Sequence, residues 1–304
     1  MTDQFDIAVI GNGVAGLSAV QHALMAGCTV AHVVGWEPIG GLVCNVGALQ
    51  GYPAGAEPVS GLDLALAVLS ANVDGGVTEV PAEATSVERQ HDGFLVSHSD
   101  GSLFARHVIA ATGARLRPPP LADMHRFEGR GISQCAWCDG ALFAGQRTVV
   151  VGGGDAALDA AIHLASFAEH VTVVVRGERL RARHSYIDGA RNLATVEVKL
   201  NSQISAVSGD ETLASVTIED RANGTAEDHA CNGLFVFVGL EPRADAFAGL
   251  VELDANGAIV VNSSMETATP GCFAVGAVRS GYGGRLVQAM GEAATAAIAA
   301  AARC

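Results

Sequence analysis

Apolar residues 5–10 run into Gly11-Asn12-Gly13-Val14-Ala15-Gly16; residues 17–26 then carry helical periodicity and 30–34 form a second apolar run. The pattern predicts strand, glycine turn, helix, strand. It recurs at residues 148–151, Gly152-Gly153-Gly154-Asp155-Ala156-Ala157, a helix to about 167 and an apolar run at 171–175, with Ala157 in place of the third glycine. In such a turn the first glycine permits the tight bend, the second lets a pyrophosphate approach the backbone, and the third lets helix and strand pack closely. The helix that follows offers free N–H groups and a partial positive charge to the phosphates.

Between the two units the pattern predicts an amphipathic helix over 61–72 and strands over 77–80, 94–97 and 107–111, the last running into Thr112-Gly113. Pro118-Pro119-Pro120 can continue neither helix nor sheet and reads as a hinge. After the second unit, strands are expected near 196–200, 214–218 and 234–238, then a second crossing at Gly239-Leu240-Glu241-Pro242. Strands at 259–261 and 272–276 and a helix from about Gly284 close the chain. The fold expected is α/β, two Rossmann-like (three-layer ββα) dinucleotide-binding domains, the second inserted into the first. Residues 1–117 and 246–304 would form one domain and 118–245 the other.

Composition narrows the functions. A chain of 304 residues with 49% hydrophobic and 16% charged residues can bury two ordinary cores. A net charge of −14 argues against nucleic acid as a partner. The start lacks the basic, apolar pattern of a secretion signal, and the apolar stretch 293–302 is shorter than the roughly 20 residues a membrane span needs, so a cytoplasmic protein is expected. Lys199 is the only lysine, yet Arg176, Arg179, Arg181 and Arg183 cluster just after the second unit's second strand. A ribose 2′-phosphate calls for arginine at that place, which favours NADPH over NADH; a solvated basic turn is the plainer alternative.

The cysteines supply the chemistry. Of seven, at 28, 44, 135, 138, 231, 272 and 304, only Cys135-Ala136-Trp137-Cys138 has the spacing of a reactive couple, and Asp139 follows it directly. Two cysteines so spaced can close a small disulfide ring and exchange an electron pair through it. Asp139 could pass a proton as the thiolate forms and leaves. A zinc half-site or two unrelated core cysteines are the alternatives, but no second ligand pair of metal-binding spacing occurs, and no metal is expected. Trp137 packs on a cofactor or shields the disulfide; His163 and Cys304 carry no assigned role.

Taken together these motifs resemble the low-molecular-weight thioredoxin reductase family over nearly the whole chain. The resemblance rests on 9–16, Gly40-Gly41 with Tyr52-Pro53, Ala111-Thr112-Gly113-Ala114, Gly129-Arg130-Gly131-Ile132-Ser133 leading into Cys-Asp-Gly, Gly152-Gly153-Gly154-Asp155, and 268–274. It implies FAD held by Gly11, Asn12, Gly13, Val14, Ala15, Gly16, Gly40, Gly41, Leu42, Thr112, Gly113, Gly276, Ala277 and Arg285. It implies NADPH at Gly152, Gly153, Gly154, Asp155, Ala156, Arg176 and Arg181, and a homodimer. By position, Cys138 would face the flavin, Cys135 would attack the substrate disulfide, Asp139 would donate the proton, and a rotation of the inserted domain would present the thiols to a thioredoxin-like protein or a small disulfide.

The chain departs from the family at several places. Ala277 stands where an Asp normally binds the flavin's ribityl chain, a loss worth roughly 1.5–3 kcal/mol for a charge-assisted hydrogen bond. Gly284-Arg285 replaces an Arg-Gln pair, Gly51 an Asn, and Val175-Arg176-Gly177 a His-Arg-Arg. Cys44 takes the place of a hydroxyl residue. Ala141 and Leu142 replace the aromatics that help dock thioredoxin. Related architectures run as dithiol oxidases with oxygen as acceptor, as ferredoxin-linked reductases, or as flavin-binding sensors without turnover; Asp139, where the oxidases tend to carry His, favours the reductase.

Overall fold

The computed structural model describes residues 3–36, 38–52, 59–118 and 121–304. The expectations placed on Pro53 and on the Pro119-Pro120 hinge lie outside the described residues. The chain forms two compact units, residues 1–115 with 241–304, and residues 116–240.

Unit 1 starts with β1 (Gln4–Ile10), α1 (Val14–Met25), β2 (Val30–Val33) and α2 (Gly61–Asp74). It continues through β3 (Thr78–Val80), β4 (Ala84–Gln90), β5 (Gly93–His98) and β6 (Gly101–Ala110), and the chain leaves along β7 (Ala114–Leu116). Unit 2 holds β8 (Ile132–Ser133), α3 (Ala136–Asp139), β9 (Arg147–Val151), α4 (Asp155–Leu164), β10 (His170–Val174), α5 (His184–Arg191) and β11 (Val196–Lys199). It ends with β12 (Ser202–Gly209), β13 (Leu213–Asp220), β14 (Ala226–Ala230) and β15 (Gly233–Val236). The chain returns along β16 (Leu240–Pro242), which pairs with β7, to β17 (Cys272–Ala274) and α6 (Leu286–Ala301).

In unit 1 the strand order is β3-β2-β1-β6-β5-β4, with β17 also beside β6. The four pairings among β1, β2, β3, β6 and β17 are parallel, and β4 and β5 add an antiparallel edge. Ile7, Ala8 and Val9 of β1 are wholly buried, as the apolar run requires of a central strand covered on both faces. One face meets α1 and α6, whose contact is a stripe of alanines: Ala15, Ala19 and Ala23 against Ala289, Ala293, Ala296, Ala297 and Ala300. Small side chains let the two helices lie close. Unit 2 repeats the design with a five-stranded parallel sheet, β11-β10-β9-β15-β8, and adds an antiparallel sheet, β12-β13-β14.

The α/β class read from the sequence is the one observed. Two local expectations differ. Residues 259–261 form no strand, because the turn at Asp254 to Gly257 reverses the chain too soon; Ile259 makes only isolated bridges, to Leu253 and Arg279. The last helix begins at Leu286 rather than Gly284, whose φ of +71° lies outside helical space. Helix α5 was not foreseen: its sequence is polar and contains Gly189, and only Tyr186 and Ala190 are buried.

Candidate active site

Both glycine turns lie where a central strand hands over to its helix. β1 is flanked by β2 and β6, and β9 by β10 and β15, so each turn sits at a switch point of its sheet. Packing separates the glycines into two kinds. Gly11 has φ +119°, and a Cβ there would lie 2.3 Å from the Ala111 carbonyl oxygen; one on Gly16 would lie 2.0 Å from the Gly11 oxygen. The fold itself demands both. A Cβ on Gly13 would meet only the Gly40 oxygen, at 3.9 Å, and one on Gly154 nothing within 4 Å. Gly13 (φ −73°) and Gly154 (φ −101°) also have backbones any residue adopts. Neither is required by the chain, and both leave clear space in front of a helix N-terminus that has no side-chain cap. That is the cradle a pyrophosphate needs, so both turns fit a dinucleotide.

Other predicted residues gather around the first turn. Gly40 N–H donates to the Asn12 oxygen at 2.8 Å, and Val14 N–H to the Gly40 oxygen at 3.3 Å. Gly41 abuts Gly13. Leu42 is exposed and Cys44 half-buried on the short turn Gly41–Asn45; the Cys44 thiol donates to the Gly41 oxygen at 2.8 Å, and burial pushes its pKa up. Thr112 lies against Gly11 and donates its hydroxyl to the Arg243 oxygen at 2.5 Å; Gly113 follows with φ +67°. Gly276 sits under Ala15 and Ala289, with Ala277 half-buried beside it, and Arg285 is exposed at the head of α6.

A buried ion pair near Gly276 escaped sequence reading. Glu292, 6% exposed on α6, accepts the Gly276 N–H at 2.9 Å and pairs with the Arg279 guanidinium. The signal was available: a lone acid on the inward face of an alanine-rich helix is rarely buried without a partner.

In unit 2, Asp155 starts α4 and is held by Arg183, whose backbone N–H and Nε both donate to its carboxylate at 2.8 Å. Ala156 follows it on the helix. Arg183 thus has a structural partner, while Arg176, Arg179 and Arg181 are exposed at the end of β10. The Arg181 N–H closes on the Gly153 oxygen at 2.7 Å, fixing that loop against the turn.

Cys135 and Cys138 are joined by a disulfide, Cα–Cα 5.3 Å. Cys135 caps α3, its Sγ accepting the Cys138 N–H at 3.1 Å. Ser133, at the end of β8, accepts the Cys135 N–H at 3.0 Å and donates its hydroxyl to Asp139 Oδ2 at 2.6 Å. One serine therefore sets both the entry to the turn and the acid at its end. Cys135 and Asp139 are half-buried and Cys138 exposed. Trp137 stacks on His163 (centroids 3.7 Å apart, 20° between planes) and donates its Nε1–H to Asp159 Oδ2 at 3.0 Å. Burial lowers the His163 pKa against the pull of the Asp159 charge. Asp159 and His163 lie four apart on α4, the spacing that places two side chains on one helix face. Helix α4 thus clamps the residue between the two cysteines.

A family model for pyridine nucleotide-disulphide oxidoreductases matches residues 5–301. The chain belongs to that family. It is 33% identical over 304 residues to a thioredoxin reductase of Treponema pallidum, covering 99% of this chain and 97% of the relative. Its fold superposes on the crystal structure of Lactococcus lactis thioredoxin reductase with a TM-score of 0.93 at 30% identity, covering 97% of each chain. The thioredoxin reductase of T. acidophilum gives 0.93 at 28% identity, over 99% of this chain and 98% of that one. The protein is thus a flavoprotein disulfide oxidoreductase of the low-molecular-weight thioredoxin reductase kind, and its family's cofactors are a flavin and a pyridine nucleotide. Among the described residues no helix is long and apolar enough to cross a membrane.

Proposed function

We propose that this protein reduces a disulfide at the expense of NADPH, with FAD on the first glycine turn, NADPH on the second, and the Cys135–Cys138 pair as the relay. The observation that carries the reading is the disulfide itself, set at a helix start with an acid pinned beside it. When bound, the flavin accepts hydride from the nicotinamide and supplies an electron pair to sulfur. The chain's residues handle the rest. Reduction opens the ring to two thiols, and the Cys138 N–H aimed at Cys135 Sγ stabilises a thiolate there. Cys135 passes its proton to Asp139 and attacks the substrate disulfide; its sulfur bonds to one substrate sulfur, and the other leaves as a thiolate that takes that proton from Asp139. Cys138 then attacks Cys135 Sγ, which closes the ring and releases the second substrate thiol.

The three exposed arginines after β10 support the phosphorylated coenzyme. The substrate is a thioredoxin-like protein or a small disulfide; Leu142, 73% exposed, replaces an aromatic in the docking stretch. The family resemblance further supports a homodimer and a cytoplasmic location.

The test is anaerobic. NADPH should bleach the flavin of the purified protein, and a disulfide substrate should restore the colour. In Cys135→Ser or Cys138→Ser, NADPH should still bleach the flavin while steady-state turnover falls at least about 1,000-fold, the scale on which removing a reacting group acts. Full turnover in either variant would refute the relay; flavin that only a dithiol reduces would point to an oxidase instead.

A further inference from the structure

A second pair of cysteines meets in space, although 276 positions separate them in sequence. Cys28 follows the end of α1, and Cys304 follows the end of α6; their sulfurs are 3.9 Å apart, and the Cys28 thiol points at Cys304. We propose that Cys28 and Cys304 form a second, reversible disulfide, made by exchange with a low-molecular-weight disulfide that reacts first at the exposed Cys304.

The geometry brings the two sulfurs into contact. A disulfide needs about 2.05 Å between sulfurs, so closure requires an approach of about 2 Å from the observed 3.9 Å. Each partner's backbone is anchored. The turn holding Cys28 is fixed by its N–H to the Ala23 oxygen at 3.1 Å and, one residue on, by Asp6, which accepts the Thr29 N–H at 2.9 Å and its hydroxyl at 2.8 Å. The end of α6 is fixed by Arg303, whose Nη2 donates to Glu266 at 2.8 Å.

Access dictates the order of events. Cys28 is 8% exposed and shielded from a bulky reagent, whereas Cys304 is open to solvent. The Cys304 thiol gives up its proton and attacks the small disulfide; a sulfur–sulfur bond to Cys304 forms, the small disulfide's own bond breaks, and the thiolate that leaves takes up the proton as one released thiol. The Cys28 sulfur, already in contact, then attacks Cys304 Sγ and expels the second thiol. Two protein thiols are oxidised and one small disulfide is reduced to two thiols. Burial, then the neighbouring Cys28, hold the Cys304 thiol up at about 12, so little thiolate is present and the first step is slow. The closed bond ties α6 to α1, the helix that follows the first glycine turn.

The test uses the whole protein with oxidised glutathione and no nicotinamide. Free thiols are alkylated in denaturant with N-ethylmaleimide and counted by intact mass. The wild type starts with five free cysteines, Cys28, Cys44, Cys231, Cys272 and Cys304. It should lose two labels together without gaining a glutathione adduct. Cys28→Ser should trap one glutathione on Cys304, and Cys304→Ala should keep its remaining labels. In urea, the oxidised wild type should unfold at a higher midpoint than the reduced form, while the two forms of Cys304→Ala should coincide. A wild type that keeps all its labels or holds a lasting adduct, or a Cys304→Ala that loses a pair of labels as readily, would overturn the proposal. Cys135 and Cys138 take no part, so the outcome stands apart from the relay.

Discussion

The two glycine turns solve one problem with different tolerances. In unit 1 the helix start presses on the strand so closely that Gly16 has no room for a methyl group, whereas in unit 2 the equivalent Ala157 fits beside Gly152. Charge differs as well. The first turn of α1 holds no acid, and no lysine or arginine follows β2 before Arg89. The first turn of α4 holds Asp155, neutralised by Arg183, and β10 ends among three exposed arginines. The shared part is the open glycine before each helix. On the assignment proposed above, the parts that differ match the two dinucleotides: a compact turn without basic residues for the flavin, and an arginine-lined one for a coenzyme with an additional phosphate.

Breaking the packing half of that contrast should give the largest effect. Gly16→Ala drives a methyl group against backbone, and we expect a loss of about 3 kcal/mol or more with failure to retain flavin, since overpacking against an atom that cannot move is costly. Ala157→Gly should cost only about 1 kcal/mol, the helix-propensity difference. Urea unfolding and flavin content measure both. Gly13→Ala sharpens the point: it should fold as the wild type does and still lose flavin, because its methyl group fills ligand space rather than protein space. If Gly13→Ala unfolds instead, the assignment of that space is wrong.

The charge half is next. Arg176→Ala with Arg181→Ala should weaken NADPH relative to NADH by about 10- to 100-fold in kcat/KM, the loss of one or two charge-assisted contacts at about 1.4 kcal/mol per tenfold. Arg183→Gln should leave the preference nearly unchanged and instead destabilise unit 2, because its partner is Asp155.

These contrasts show what was legible. Continuous apolar runs broken by glycine clusters revealed the sheets, because a strand covered on both faces has no polar positions to hide it. The disulfide pair was legible from spacing alone. What stayed hidden depends on contacts remote in sequence: Glu292 with Arg279, Asp159 beneath Trp137, and Cys28 against Cys304. Two of the three were visible as oddities, an acid among alanines and an odd number of thiols. The partner is chosen by the fold, which local periodicity does not encode.

Acid should separate the units further. Unit 1 holds His32 and His107, whose pKa values burial lowers, and Asp6, Asp254 and Glu266, lowered chiefly by hydrogen bonds from Thr29, Ser280 and Arg303 respectively. Among the histidines of unit 2 only His163 is lowered. All these groups bind protons more weakly when folded, so the unfolded chain gains protons first and stability falls with pH. The histidines act as pH drops below their unfolded value of 6.5, and the carboxylates below 4.5 for Glu266 and 3.8 for the aspartates. Hydrogen exchange resolved by peptide and corrected for intrinsic rate should show unit 1, with two lowered histidines against one, losing more protection than unit 2 as pH falls below 6.5. Equal sensitivity of the two would contradict this distribution of strained protonation.

The smallest effect concerns the clamp on the relay. Trp137 is 41% exposed, so its bond to Asp159 competes with water, and Asp159→Ala should cost about 1 kcal/mol or less. Trp137→Phe keeps a ring to stack on His163 and loses only the Nε1–H donor, so it should resemble Asp159→Ala. The double variant should then be no worse than either single one, because both remove the same hydrogen bond. Indole fluorescence and the rate at which a monothiol opens the Cys135–Cys138 ring report on the same contact from two sides. If α4 holds the motif through this tryptophan, ring opening quickens in both single variants by a similar factor. An unchanged rate with altered fluorescence would mean that Ser133 alone fixes the cysteines, and that the stacking serves only the packing of unit 2.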